Sequence, residues 1–213
     1  MNRIIVFALM FFCMTMQIEA QTLSEEEVTA KMYQAFELNK AGKKAEALEL
    51  FLIVGENTKQ QRNEGERQVY VCSQTMACQC YELLGRYQEG YLLGKSLLQG
   101  KLNDEERKDV GHLYAMNGYM YACEFIQRDE KGRADYKRGR ELISEILPYS
   151  DGQVKEYAET KIPLSWYFEG AQYAMTQSYD EALSSYEKAL NGFRDLGRVS
   201  EEVDVLSGIA SVK

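Results

Sequence analysis

Residues that commonly carry catalysis are sparse in this chain. His112 is the only histidine among 213 residues, so any serine or cysteine nucleophile would have to use it as the base. No serine or cysteine lies near it in a nucleophile motif, and a lone histidine on a helix is more often structural than catalytic. The sequence therefore predicts a protein that is not an enzyme.

Metal and cofactor sites are not expected either. One histidine leaves few combinations of ligands for a metal ion. The acidic runs at 25–27 and 104–106 stand where helices are predicted to begin, and acidic side chains there stabilise the helix dipole. We therefore expect no metal and no cofactor.

The cysteines show no pairing pattern. Cys78 and Cys80 are two residues apart on a predicted helix, so they point in nearly opposite directions and cannot share one metal ion or pair together. We expect small buried thiols, with a disulfide, for example one involving Cys123, as the alternative. The cysteines concerned are Cys72, Cys78, Cys80 and Cys123.

The charge of the chain excludes some classes of partner. It has 25 basic and 33 acidic residues and a net charge of −8. A strongly acidic chain is poorly suited to the phosphates of nucleic acids or to an anionic membrane surface. We expect a protein or peptide ligand and no nucleic acid.

One stretch has the spacing of a complete helical repeat. Trp166, Gly170 and Tyr173 share one face of a predicted first helix. A predicted second helix has Tyr179, Ala182, Tyr186 and Ala189 on one face. Together they resemble the tetratricopeptide signature W-x2-L-G-x2-Y followed by A-x3-F, with Glu169 where the family has leucine.

The same register can be laid over the whole chain. The small residues of successive first helices are Ala35, Cys78, Gly118, Gly170 and Ala210, spaced by 43, 40, 52 and 40 residues. The step to the small residue of the second helix is 12 for Ala47, Gly90 and Ala182, and 21 for Gly139. The long step predicts extended helices in the third repeat, around residues 127–132.

The resemblance implies an all-α fold, a right-handed superhelical solenoid of about four and a half antiparallel helix pairs. The repeats are expected at about 24–60, 63–100, 103–148 and 151–197, with a partial one at 198–213, in a single domain over 21–213. Their core is expected to contain Ala35, Ala47, Phe51, Tyr81, Gly118, Tyr121, Trp166, Gly170, Tyr173, Ala182, Tyr186 and Ala189.

Local signals predict several helix boundaries. Ser24 with Glu27 and Ser178 with Glu181 have the spacing of a capping box, in which each side chain bonds to the backbone at the other position. Pro163 is expected to kink its helix or to begin a new one.

First helices line the concave face of a tetratricopeptide array, and the resemblance implies that ligands bind there. Aromatic and amide side chains on this face suit an extended peptide or a partner's helix. The residues expected to face a partner are Phe36, Asn39, Thr75, Gln79, Glu82, His112, Tyr119 and Tyr167.

The N-terminus has the layout of a secretory signal peptide. Arg3 precedes an apolar run at 4–16, and Ala20 ends a segment typical of a cleavage site. The apolar run is shorter than the roughly 20 residues of a membrane-spanning helix, so an uncleaved anchor is the weaker interpretation. Cys13 leaves lipid attachment as a third. We expect cleavage after Ala20 and a periplasmic protein with no membrane insertion in its mature chain.

The last predicted helix has two apolar stripes, although a terminal helix needs only one. They consist of Val199, Val203, Leu206 and Ala210, and of Val205, Ile209 and Val212. The second stripe is expected to be available, either for further chain or for self-association with a second copy.

These observations predict a non-catalytic scaffold that binds a protein or peptide in the periplasm. The chain is similar to the exported N-terminal tetratricopeptide region of bacterial envelope sensor kinases and regulators, which implies a part in signal transduction. The alternative is a free-standing periplasmic adaptor for envelope protein assembly.

Overall fold

The structure is all-helical, as the sequence predicts. The computed structural model describes residues 23–127 and 134–213, which contain no strand. The expected signal peptide lies outside these residues, as does most of the predicted helix extension at 127–132. The helices are α1 Glu25–Lys40, α2 Lys44–Thr58, α3 Glu64–Leu83, α4 Tyr87–Leu98, α5 Asp104–Ile126, α6 Tyr136–Ile146, α7 Gly152–Met175, α8 Tyr179–Asp195 and α9 Val199–Val212, with a short 3-10 helix at Leu147–Tyr149. None of these helices is long and apolar enough to cross a membrane.

Each helix packs against the next one in sequence order, and α3, α5, α7 and α9 also contact one another as a row. The arrangement is that of a helical solenoid, in which contacts are made between near neighbours. The core is accordingly divided along its length. Separate clusters surround Phe51 between α1, α2 and α3, Ile143 between α4 and α7, and Phe193 between α7, α8 and α9.

One type of turn explains the constant step of 12 residues in three of the predicted repeats. Gly42, Gly85 and Gln177 each stand seven residues after the small residue of the first helix. They adopt left-handed backbone conformations, with φ of 78°, 70° and 62°. The next amide donates to a carbonyl five residues earlier, at 2.9 Å in each turn, which is the Schellman arrangement: Lys43 to Leu38, Arg86 to Tyr81 and Ser178 to Tyr173.

The two expected capping boxes have different outcomes. At the first, the Ser24 hydroxyl accepts from the Glu27 amide at 3.2 Å, and the Glu27 carboxylate accepts from the Ser24 amide at 2.8 Å. The second prediction is wrong, because the Ser178 side chain makes no capping hydrogen bond. Ser178 follows the left-handed Gln177 directly, and its ψ of 70° differs from the extended backbone of Ser24.

Pro163 does not begin a new helix, since α7 runs from Gly152 to Met175 through it. A Cβ added at Gly192 of α8 would lie 2.8 Å from the Pro163 Cβ, so the proline ring occupies space that the glycine leaves. The proline therefore marks a close contact between α7 and α8.

The predicted core residues are buried except for three aromatic side chains. Tyr121 and Trp166 are half-buried, and Tyr173 is 36% exposed, so its prediction as a core residue is wrong. The core-facing side of α7 is centred on Gly170, Ala171 and Ala174, and Tyr173 lies at its margin beside the helix end. A helical period locates such a face only to within about one residue.

The prediction of which apolar stripe of the last helix is available is also wrong. Val205, Ile209 and Val212 pack into the cluster around Phe193, and Val205 is completely buried. The small residue that meets Tyr186 is Gly208. The exposed stripe of α9 is the other one, consisting of Val199, Val203, Leu206 and Ala210.

A carboxylate joins three helices in the middle of the solenoid. Glu145 of α6 accepts from the Tyr114 hydroxyl of α5 at 2.7 Å and from the Tyr91 hydroxyl of α4 at 2.9 Å. Lys95 of α4 lies 2.7 Å from the same carboxylate. Burial acts to raise the pKa of Glu145, but these three donors outweigh it and lower the pKa below its ordinary value of 4.5.

Glu145→Gln should reduce stability at pH 7 by about 1 kcal/mol, because an ion pair and a charged acceptor are lost. The lowered pKa means that the carboxylate stabilises the fold above pH 4.5, and that this contribution is lost as pH falls through the folded pKa. Urea unfolding of both proteins should therefore show a difference that shrinks below pH 4.5. A difference that is independent of pH would contradict this assignment.

Gln177→Gly should stabilise the protein by about 1 kcal/mol, because glycine adopts the left-handed conformation without the steric cost that glutamine meets. The matched control is Gly85→Gln, at the equivalent turn, which should destabilise by a similar amount. Thermal or urea unfolding measures both. A lower stability for Gln177→Gly would show that the glutamine side chain contributes more than its backbone costs.

Candidate functional site

Three of the residues expected to face a partner lie around one cleft between α3 and α5. Thr75 and Gln79 are on α3, one turn apart, and His112 faces them from α5. We call this cavity of about 310 Å³ the α3–α5 cleft. Its remaining lining residues are Met76, Lys108, Asp109, Leu113 and Asp151.

The cleft offers polar side chains but no catalytic arrangement. His112 Nδ1 lies 3.0 Å from Asp151 Oδ1, and the Thr75 hydroxyl donates to the Val71 carbonyl at 2.7 Å. Glu82, the fourth predicted residue of this region, follows Gln79 by one turn. Burial raises the pKa of Glu82, and the nearby His112 acts in the opposite direction. Hydrogen bonding is the chemistry that this set of groups supports.

Tyr119 extends the row of exposed polar and aromatic groups towards α7. Its ring stacks on that of Tyr157, with centroids 6.3 Å apart and planes at 26°. The Tyr119 side chain is half-buried and Tyr157 is 48% exposed. The pair therefore presents an aromatic surface between α5 and α7, separate from the α3–α5 cleft.

The remaining predicted residues serve other contacts. Phe36 packs edge-on against Phe51, with centroids 5.4 Å apart. The Asn39 amide oxygen accepts from Lys44 at 2.6 Å, which ties the end of α1 to the start of α2. Tyr167 packs in the cluster around Phe193. The structure does not bring these three residues to the cleft.

The four cysteines within the described residues are free thiols. Cys78, Cys80 and Cys123 are buried as expected, whereas Cys72 is exposed. Burial raises the pKa of the Cys78 thiol to about 12, so it is unreactive at neutral pH. Among residues 23–127 and 134–213, no group of three or more histidine, cysteine or acidic side chains could hold a metal ion.

The sequence reasoning missed a second cavity, which is larger than the α3–α5 cleft. It is an open groove of about 1070 Å³ between α6 and α8, with α7 as its floor, and we call it the α6–α8 groove. The floor consists of Ile162, Trp166, Glu169 and Tyr173. The α6 wall consists of Lys137, Arg140, Glu141 and Ser144, and the α8 wall of Asp180, Glu181, Ser184, Ser185 and Lys188.

Trp166 connects the two walls of this groove. The Arg140 guanidinium carbon lies 3.4 Å from the ring centroid and the Lys188 ammonium 4.1 Å from it. Two cations so close to one centroid would repel each other on the same face, so we place them on opposite faces. Arg140 also bonds to Glu169 at 3.0 Å, and burial lowers its pKa while Glu169 acts to raise it.

One sequence signal could have located this groove. Glu169 replaces an apolar residue of the repeat pattern, and a carboxylate at a packed position requires a cation nearby. Arg140 supplies that cation from a helix 29 residues away in sequence. Sequence spacing alone does not identify such a partner.

Arg140→Gln should destabilise the protein by about 2 kcal/mol, because Glu169 is only 17% exposed and would lose its paired charge. Arg138→Gln is the matched control on the same helix. Its ion pair with Glu141 is solvent-exposed, so a change below about 0.5 kcal/mol is expected. Urea unfolding of the two variants measures the difference. Equal losses would contradict the importance of the buried pair.

Comparison with known proteins does not assign the chain to a family. No protein-family model matches it, and no curated protein matches it.

Proposed function

We propose that this protein is a non-catalytic helical scaffold that binds a protein or peptide partner through the α3–α5 cleft. The observation that carries this proposal is the position of Thr75, Gln79 and His112 around one cavity. These residues come from two helices. The spacing of the small residues along the sequence predicted that all three would face a partner. Their side chains suit a ligand with exposed hydrogen-bonding groups, as an extended peptide has.

The proposal includes the tetratricopeptide-like architecture, with right-handed antiparallel helix pairs. The shared turn at Gly42, Gly85 and Gln177 supports it, because the same kind of turn connects the two helices in three of the proposed pairs. Export to the periplasm and a part in signal transduction rest on the N-terminal pattern and on the resemblance. A free-standing adaptor for envelope proteins is the alternative, and the exposed apolar stripe on α9 suits such a protein.

Peptide selection tests this function directly. Peptides enriched from a phage-displayed random library on the purified full chain should bind with measurable affinity in isothermal titration calorimetry. His112→Ala and Gln79→Ala should each weaken the selected peptide about tenfold, which corresponds to about 1.4 kcal/mol.

Gln88→Ala, an exposed glutamine on α4, is the control and should leave the affinity unchanged. Enriched peptides whose affinity is the same for all three variants would show that binding occurs elsewhere. A failure to enrich any peptide would contradict the function itself.

A further inference from the structure

One position of the repeat is occupied by an aromatic ring in two successive first helices. It lies four residues before the small residue of the helix, and it is Tyr114 in α5 and Trp166 in α7. The Tyr114 ring stacks on that of Tyr91 from α4, with centroids 5.3 Å apart. The Trp166 ring contacts Arg140 from α6 and Lys188 from α8. At both places a ring therefore fills space between the first helix and its neighbouring second helices.

The same position in α3 is Gln74, whose amide is left unpaired. The residue is only 7% exposed, and its Nε2 atom has no hydrogen-bond partner among the described residues. A Cβ added at Gly55 of α2 would collide with the Gln74 amide, so the amide lies directly against this glycine. A buried amide without a partner destabilises the fold, and in a native structure it usually has a hydrogen-bonding partner. Gln74 therefore lacks a partner that a ligand could supply.

Gln74 lines a cavity of about 470 Å³ between α2 and α3, which we call the α2–α3 cavity. Binding sites for small molecules commonly have volumes of roughly 300–1,000 Å³. The two charged lining residues, Glu56 and Lys59, pair with each other at 3.4 Å and are largely exposed. The lining therefore carries no net charge. Its remaining residues are Leu52, Ile53, Gly55 and Tyr70.

The chemistry of Gln74 favours a neutral carboxamide as the ligand group. An amide offers a donor and an acceptor side by side, so a second amide can form two parallel hydrogen bonds with it. The terminal torsion of a glutamine is soft, and a turn about it points the amide away from Gly55 and into the cavity. A carboxylate would return no donor, and its charge would be buried where the one lining cation, Lys59, is already paired.

We propose that the α2–α3 cavity binds a small aromatic carboxamide. Its amide pairs with Gln74, and its ring packs on the apolar lining formed by Leu52, Ile53 and Tyr70. The aromatic ring is inferred from Tyr114 and Trp166, which occupy the equivalent position of the next two repeats. The site is separate from the α3–α5 cleft and does not depend on the function proposed for it.

Benzamide is the probe, and two related compounds are its controls. Benzoate replaces the neutral amide by a charged carboxylate, and cyclohexanecarboxamide replaces the aromatic ring. NMR titration of the ¹⁵N-labelled full chain should show saturable shifts with benzamide. The side-chain amide signal of Gln74, identified by its absence in Gln74→Leu, should be among the signals that shift. Both control compounds should bind about tenfold more weakly.

Variants of the protein provide the matched test. Gln74→Leu should weaken benzamide about tenfold and raise the melting temperature of the free protein by about 3 °C, because an unpaired buried amide is removed. Gln74→Tyr should abolish binding, because its ring would occupy the cavity. Gln68→Leu, at an exposed glutamine of α3, and His112→Ala, in the α3–α5 cleft, should leave the affinity unchanged.

Several results would overturn the proposal: no saturable shift with benzamide, equal affinities for the three compounds, or unchanged affinity in Gln74→Leu. A lower melting temperature for Gln74→Leu would also do so, because it would show that water already satisfies the amide. Loss of binding in His112→Ala would assign benzamide to the α3–α5 cleft and exclude this site.

Discussion

Close approach of neighbouring helices at glycine is the constraint on which the rest of this structure depends. A Cβ at Gly118 of α5 would lie 2.5 Å from the Ile146 side chain of α6. A Cβ at Gly139 of α6 would lie 2.5 Å from Ile126, and one at Gly170 of α7 would lie 2.8 Å from the Tyr186 ring. At each of these three contacts one helix has no side chain, so a large residue fills the space that is left.

This constraint acts only between neighbours, and it makes the solenoid a series of local contacts. The contact between one second helix and the next can therefore differ along the solenoid without disturbing the other contacts. The space between α4 and α6 is filled by Glu145, Lys95, Tyr91 and Tyr114. Between α6 and α8, Arg140 and Lys188 contact Trp166 rather than each other's helix, and a groove remains.

The α3–α5 cleft and the α6–α8 groove differ in chemistry. The α3–α5 cleft is small and polar, with His112 and Gln79 accessible at its edges, and suits a ligand that brings its own hydrogen-bonding groups. The α6–α8 groove is larger, has aromatic side chains on its floor and separates acidic from basic residues along one wall.

The sequence by itself determined the helical content, the position of most helices and the small residues at which several of them meet. These features depend on local periodicity and on turn residues, and both signals come from residues that are close together in the sequence. The step of 12 residues, for example, follows from a turn seven residues after each small residue. The same register also predicted that Thr75, Gln79 and His112 share one surface, and the three residues line one cavity.

Only the tertiary structure decided which of two plausible faces each helix buries. On α9 both stripes are apolar, and the contact of Gly208 with Tyr186 selects Val205 for the core and leaves Val203 exposed. The sequence assigned Tyr173 and Tyr167 to the wrong sides of α7. The side of α7 that packs in the core and the side that faces the α6–α8 groove differ by a helical rotation of only about one residue. The pairing of Glu169 with Arg140 joins residues on different helices, and such a contact depends on the approach of two helices that local periodicity does not encode.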